Sequence, residues 1–250
     1  MQRYFILDST INEEVVDIVG EDVKHIGKVM RMEVGDEIIV CSSTGQSAIC
    51  ELTSINQNQI QARPVRWLDE DKQLPLRVTV VQGLPKGDKL ETVIQKGTEL
   101  GADNFIPFKA ERSVVKWDKQ KSEKKLQRLN KIAKEAAEQS HRTTIPDISE
   151  PCSISQLIEM SEPFDHKVIA FEEEAKAGES AKLVQTLHQA NKNDRFIVVF
   201  GPEGGLSANE VEKLEKAGFS SCGLGPRILR TETAALYVLA AISYHFELMR

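Results

Sequence analysis

Two short stretches towards the C-terminus carry residue types able to do chemistry. The first, FGPEGGLSANE (residues 200–210), packs Gly201, Gly204 and Gly205 around Pro202 and Glu203. A glycine-rich turn between a strand and a helix cradles phosphates when its backbone N–H groups face them. This turn lacks the usual equipment. Its spacing is neither GxGxxG nor the P-loop pattern, no lysine follows the glycines, and Glu203 would repel an anion. It is either a plain tight turn or one wall of a site for a ligand without phosphates. The second stretch, GLGPRILRTETAA (residues 223–235), sets Arg227 and Arg230 on either side of two apolar residues, just ahead of a helical pattern. Cations beside a helix N-terminus oppose the macrodipole. Either the arginines are surface charge, or something outside the helix requires them.

The flanking elements place both stretches. FIVVF (196–200) is a continuous apolar run, as expected of a buried parallel strand. Ser207 and Glu210 fit a capping box, so a helix starts there. The glycine turn therefore lies at the C-terminal end of a strand, where open α/β sheets bind ligands. Strands are predicted at 76–82, 104–108, 167–172, 195–200 and 219–224, and helices at 87–100, 118–139, 153–161, 179–190, 207–217 and 232–247. This alternation predicts a parallel sheet covered by helices. Residues 234–246 are apolar on nearly all sides, which predicts burial in a core or an interface.

Residues 1–66 read differently. RYFIL, DEIIVCSS, SAICELTSI and QIQARPVRW read as short strands, while NEEVVDIV and DVKHIGKVM have helical spacing. A small β-rich module of this kind predicts a barrel. The polar segment LDEDKQLP (68–75) reads as a linker, giving domains 1–72 and 73–250.

Composition narrows the class. No apolar run approaches the roughly 20 residues of a membrane helix, and MQRYFILDST lacks the pattern of a signal peptide. The expected location is the cytosol. Cys41, Cys50, Cys152 and Cys222 form no CxxC pair and the histidines no HExxH pattern, so no metal is assigned. The net charge of −6 is unevenly spread: residues 1–72 carry −6, residues 73–142 carry +6 and residues 143–250 carry −6. Much of the basic zone lies in KWDKQKSEKKLQRLNKIAKEAAEQSHR. It is a solvated helix face or a phosphate-facing surface.

GPEGGLS followed by LGPRILRTETAA resembles the SPOUT superfamily of knotted methyltransferases, and more closely the ribosomal RNA small subunit methyltransferase E family. The likeness spans the chain: HIGKVMRMEVGD is similar to that family's PUA-like barrel, and QKGTELGADNFIPFKAERSV and EAAEQSHRTTIP to its central motifs. The resemblance implies an α/β domain with a deep trefoil knot, preceded by a PUA-like β-barrel. It implies a homodimer formed through the knot region. The activity implied is methylation of uridine N3 in 16S rRNA with S-adenosylmethionine, with the assembled small subunit as the expected substrate. A SPOUT ribose 2′-O-methyltransferase and a non-catalytic RNA-binding module are the alternatives.

By the same resemblance, three walls enclose an adenosine pocket: Phe171 and Glu172; Phe200, Gly201, Pro202 and Gly204; and Leu224, Gly225, Ile228, Leu229 and Arg230. Uridine N3 carries a proton, and its loss spreads negative charge onto O2 and O4. Arg230 is the expected stabiliser of that charge, with Arg227 in support or on an RNA phosphate. Glu232 is the candidate base and Glu203 its reserve; proton loss to water is the third possibility. RNA contacts are expected from Arg112, Lys116, His141 and Arg142 near the site, and from Lys24, Lys28 and Arg31 on the barrel.

Overall fold

The computed structural model describes residues 1–6, 11, 14–70, 72–173 and 181–249. They form two compact units, Met1–Gln73 with Ala137–Ile145, and Leu74–Ala136 with Pro146–Arg250. The expected domains, 1–72 and 73–250, are continuous stretches, and these units are not. The assignment of 137–145 to the first unit is new, and its reason lies in the sheet described next.

The first unit is a five-stranded sheet in the order β1 (Arg3–Ile6), β3 (Glu37–Ser42), β4 (Ser47–Ile55), β5 (Gln59–Leu68), β2 (Val16–Val19). β1 and β3 run parallel and the other ladders antiparallel. β2 corrects the helical reading of NEEVVDIV: Val16 and Ile18 are buried while Asp17 and Val19 are exposed, a period of two. Two consecutive valines imitate helical spacing. The DVKHIGKVM stretch is helical, with α1 (Glu21–Lys24) running into a π turn at His25–Val29.

β3 is buried on both faces. Ile38 and Val40 join Tyr4, Ile18, Leu52 and Ile60 in one core. Ile39 and Cys41 pack on the other side with Phe5 and Ile49, and there Ala137 and Ile145 cover them. A strand with apolar residues on both faces needs a second cover, and the 137–145 segment supplies it. Polar bonds fix that cover. Arg3, fully buried at its side chain, donates to the Arg142 carbonyl oxygen at 3.0 Å and pairs with Glu70 at 2.6 Å.

The second unit is a six-stranded, all-parallel sheet in the order β11 (Ser220–Cys222), β9 (His166–Ala170), β10 (Arg195–Phe200), β6 (Arg77–Gly83), β7 (Asn104–Phe108), β8 (Asp147–Ile148). The helices are α2 (Lys89–Glu99), α3 (Lys119–Gln139), α4 (Ile154–Met160), α5 (Lys182–Gln189), α6 (Ala208–Lys216) and α7 (Thr231–Ser243), the last continued by a π turn at Tyr244–Leu248. The predicted helix at 179–190 starts outside the described residues. β8 has no counterpart among the predicted strands because two residues carry no periodicity.

α7 buries Ala235, Val238, Leu239 and Ile242. Gly97 of α2 lets it approach, since a Cβ there would meet the Phe105 ring at 2.8 Å and Leu239 at 3.4 Å. Tyr237 and Tyr244 remain exposed on the outer side.

Candidate active site

The strand order sets the site. From β6 the chain moves outward to β7 and β8, then returns on the other side of β6 for β9, β10 and β11. The direction of winding therefore reverses between β6 and β10. A crevice opens outside the carboxyl ends of two such strands. The segments leaving them, after Gly83 and after Phe200, touch each other. A Cβ at Gly83 would stand 2.6 Å from the Pro202 nitrogen, and one at Gly201 would stand 2.7 Å from the Gly205 carbonyl carbon. Both positions exclude any side chain, which explains two of the glycines bordering this crevice.

The GPEGG turn is held at several points. Ser207 caps α6, accepting from the Glu210 N–H at 3.1 Å, while buried Glu210 accepts from the N–H groups of Ser207 and Glu111, both at 2.8 Å. Arg112 donates to the Gly204 carbonyl oxygen at 3.0 Å. Glu203 accepts from the Lys86 N–H at 3.0 Å and from Lys89 Nζ at 2.8 Å. Partial burial pushes the Glu203 pKa up, but the Lys89 ammonium and the Lys86 N–H outweigh it and hold the carboxyl below its ordinary value. The same hydrogen bond to Glu203 raises the Lys89 pKa.

The second stretch meets the first through Thr231. Its hydroxyl donates to the Gly201 carbonyl oxygen at 2.6 Å and accepts from Gln82 Nε2 at 2.7 Å. Gln82 is the last polar residue of β6 and is itself buried. The start of α7 is thus tied to the ends of β6 and β10 together, where the expected knot brings these segments.

Between the two stretches lies a cavity of about 650 Å³. Of the residues expected in the adenosine pocket, Phe171, Glu172, Phe200, Gly201, Pro202, Gly204, Leu224, Ile228, Leu229 and Arg230 all line it, and Gly225 sits within the third wall without lining it. The candidate base Glu232 lines the same cavity, and its Oε2 is buried with no hydrogen-bond partner. Arg112 and Arg227 border it too, as do Lys89 and Thr231, which sequence reasoning does not single out. Lys89 is hidden in an ordinary helix start. For the Thr231 tie, the signal in the sequence is polar Gln82 at the end of the apolar run VTVVQ.

The remaining expected RNA contacts divide. Lys116 is exposed on the second unit, and Lys24, Lys28, Arg31 and His141 are exposed on the first. Arg142 is a correction. It is 2 % exposed, and its guanidinium donates to Gln73 Oε1 through Nε at 3.1 Å and also through Nη2. It is spent inside the first unit and offers nothing to a phosphate.

An all-parallel sheet with a cavity at its switch point, walled in part by glycine backbone, is the architecture in which open α/β folds bind ligands, here in a chain that also carries a small β module, and the matching families narrow it further. The RNA methyltransferase domain family matches residues 72–243, and the RNA methyltransferase PUA domain family matches residues 18–65. Over 253 residues the chain is 51 % identical to the ribosomal RNA small subunit methyltransferase E of Bacillus subtilis, covering 100 % of this chain and 99 % of that one. It is 32 % identical to the enzyme of the same name from Mycobacterium tuberculosis, covering 95 % and 90 %. The crystal structure of a ribosomal RNA small subunit methyltransferase E from Neisseria gonorrhoeae bound to S-adenosyl methionine is similar at a TM-score of 0.83 and 26 % identity, covering 97 % of each chain. The chain belongs to the ribosomal RNA small subunit methyltransferase E family.

Proposed function

We propose that this protein transfers a methyl group from S-adenosylmethionine to N3 of a uridine in 16S rRNA. The observation that carries the reading is the cavity at the β6/β10 switch point, which combines a glycine-backbone wall with an unpartnered buried carboxylate oxygen on Glu232. The residues fit the cofactor. Gly201 and Gly204 offer backbone without side chains, and no phosphate cradle is built: the carboxylates lining the cavity, Glu172, Glu173, Glu203 and Glu232, balance the cations Lys89, Arg112, Arg227 and Arg230. Bound there, S-adenosylmethionine supplies the methyl group from a sulfonium.

The chain's own residues then have separable tasks. Phe171, Phe200, Leu224 and Leu229 hold the nucleoside and exclude water from one side. Arg230 stabilises charge on O2 and O4 of the uracil as N3 loses its proton. Glu232 takes that proton while N3 gains the methyl. Its free Oε2 suits the task, because a carboxylate oxygen already committed to donors is a weak base. Glu203 is such a committed group, so it holds the loop and leaves the proton to Glu232. Thr231 positions both neighbours, Arg230 and Glu232, against the Gly201 wall.

RNA contacts are assigned to Arg112, Arg227 and Lys116 around the cavity, and to Lys24, Lys28 and Arg31 on the PUA-like unit. Arg112 also braces Gly204, so it serves the loop as well. A homodimer is the proposed assembly, supported by the exposed Tyr237 on α7 and Tyr244 and Leu248 on the π turn that continues it. Work on rRNA within the small subunit implies the cytoplasm, and among the described residues no helix is long and apolar enough to cross a membrane.

Nucleoside mass spectrometry of small subunits from a strain lacking the mark, incubated with this protein and S-adenosylmethionine, tests the reading. One new N3-methyluridine per subunit is expected. A ribose-methylated nucleoside, or no methylated product on subunits and naked rRNA alike, overturns it.

A further inference from the structure

A smaller cavity of about 200 Å³ lies in the same unit, lined among others by Pro85, Gly87, Trp117 and Lys125 and by Glu91 and Arg128, which neutralise each other. Its walls are continuous in sequence with those of the methyl-transfer cavity. The segment after β6 contributes Gly87 to this cavity and Lys89 to the larger one, and the segment after β7 contributes Trp117 here and Arg112 there. Trp117 Nε1 is buried and has no hydrogen-bond partner. An indole N–H left without an acceptor costs free energy, which a ligand oxygen would recover. Lys125 Nζ stands 5.2 Å from the centre of the same indole, and among the described residues no carboxylate pairs with it. Arg128 is present as well, its charge answered by Glu91 at 2.6 Å. One cation with no carboxylate partner, resting on the face of the indole, and one N–H donor without an acceptor thus share a small cavity. They match an anion rich in acceptor oxygens.

We infer that this cavity binds a backbone phosphate of the RNA strand that carries the acceptor uridine, with Trp117 Nε1 donating to a phosphate oxygen and Lys125 supplying the charge. The proposal rests on the RNA methyltransferase reading. A strand whose base enters the larger cavity must continue past one of its rims, and this rim is the one built from the two shared segments. It also gives the basic stretch at 119–134 a specific task for one residue, Lys125, in place of a uniform charged face.

The test is equilibrium binding of small subunits by the protein across a range of KCl concentrations. Each phosphate that the protein no longer neutralises lowers the slope of log K against log salt by about 0.7 to 0.9. Lys125→Ala is expected to lower the slope by the value for one phosphate and to weaken binding about tenfold at low salt, with Lys125→Arg restoring both. Trp117→Phe, which keeps the ring and removes the N–H, is expected to weaken binding about fivefold with the slope unchanged. Affinity for S-adenosylmethionine should stay at the parent value in all three. Lys125 is exposed, so its variants are expected to fold. Parent-like slope and affinity in Lys125→Ala would overturn the subsite alone. Failure of the parent protein to bind subunits or rRNA at all would overturn the reading beneath it.

Discussion

The Thr231 hydroxyl donates to the Gly201 carbonyl oxygen at 2.6 Å, so the last helix begins on the glycine turn that ends β10. The same hydroxyl accepts from buried Gln82. Thr231 and Gln82, which also donates to the Gly201 oxygen at 3.3 Å, thus join the two stretches that border the larger cavity.

Thr231→Val removes that tie while keeping the shape. Gln82 Nε2 keeps its bonds to the Gly83 and Gly201 carbonyl oxygens at 3.1 and 3.3 Å, so the loss is that of the Thr231 hydrogen bonds, about 0.5–1.5 kcal/mol each. The expected result is a lower melting temperature and an S-adenosylmethionine Kd raised about tenfold. Thr231→Ser should retain both, and isothermal titration of the three proteins checks it.

Arg230 and Glu232 act on the acceptor in the reading advanced above, so their loss should fall on turnover. Arg230→Ala is expected to lower kcat by about 10²–10³-fold, and Glu232→Gln by about 10²–10⁴-fold. Cofactor affinity should change less than threefold in either. An equal loss of both quantities in Arg230→Ala would move Arg230 into the cofactor site.

Glu203 has a structural task with a pH signature. Its folded pKa lies below its ordinary 4.5. Its ion pair with Lys89 therefore contributes stability above that value and loses it as pH falls through the folded pKa. The melting temperature of Glu203→Gln should lie a few degrees below the parent at pH 7, and the gap should close in acid. The pair is partly exposed, so the effect is small. Methyl transfer by Glu203→Gln should persist at more than a tenth of the parent rate, which a proton acceptor could not allow.

Arg142→Ala separates burial from recognition. The buried guanidinium holds Gln73, and removing a charged hydrogen bond of this kind costs about 1.5–3 kcal/mol. A lower denaturation midpoint with unchanged salt slope for RNA binding is expected. Arg227→Ala should show the opposite pattern, with stability kept and the slope reduced.

Much of the second unit is legible in the sequence, for reasons that individual elements show. The strand at 195–200 is bounded correctly because a parallel strand buried on both faces is a continuous apolar run. The start of α6 is legible because Ser207 and Glu210 form both halves of a capping box. NEEVVDIV misleads because a four-residue edge strand offers too few alternations to outvote two adjacent valines. Arg142 misleads because a charge in a basic stretch reads as surface, and only the packing of residues 137–145 on β3 takes it inside. Gln82 stands out as a polar residue ending an apolar run, but nothing local names its partner Thr231, 149 positions away.

The sequence by itself determined the local chemistry: most strands and helices of the second unit, where the glycine turn sits at a strand end, and that the turn is unequipped for phosphate. These follow from neighbours in the chain, through periodicity, capping and charge. Only the tertiary structure decided which groups meet. The reversal of winding between β6 and β10 opens the cavity, and the hydrogen bond from Thr231 to Gly201 brings Arg230 and Glu232 to it. The Lys86 and Lys89 donors hold Glu203 on the glycine turn. Those outcomes depend on residues far apart in sequence being close in space, and no local pattern encodes a distance.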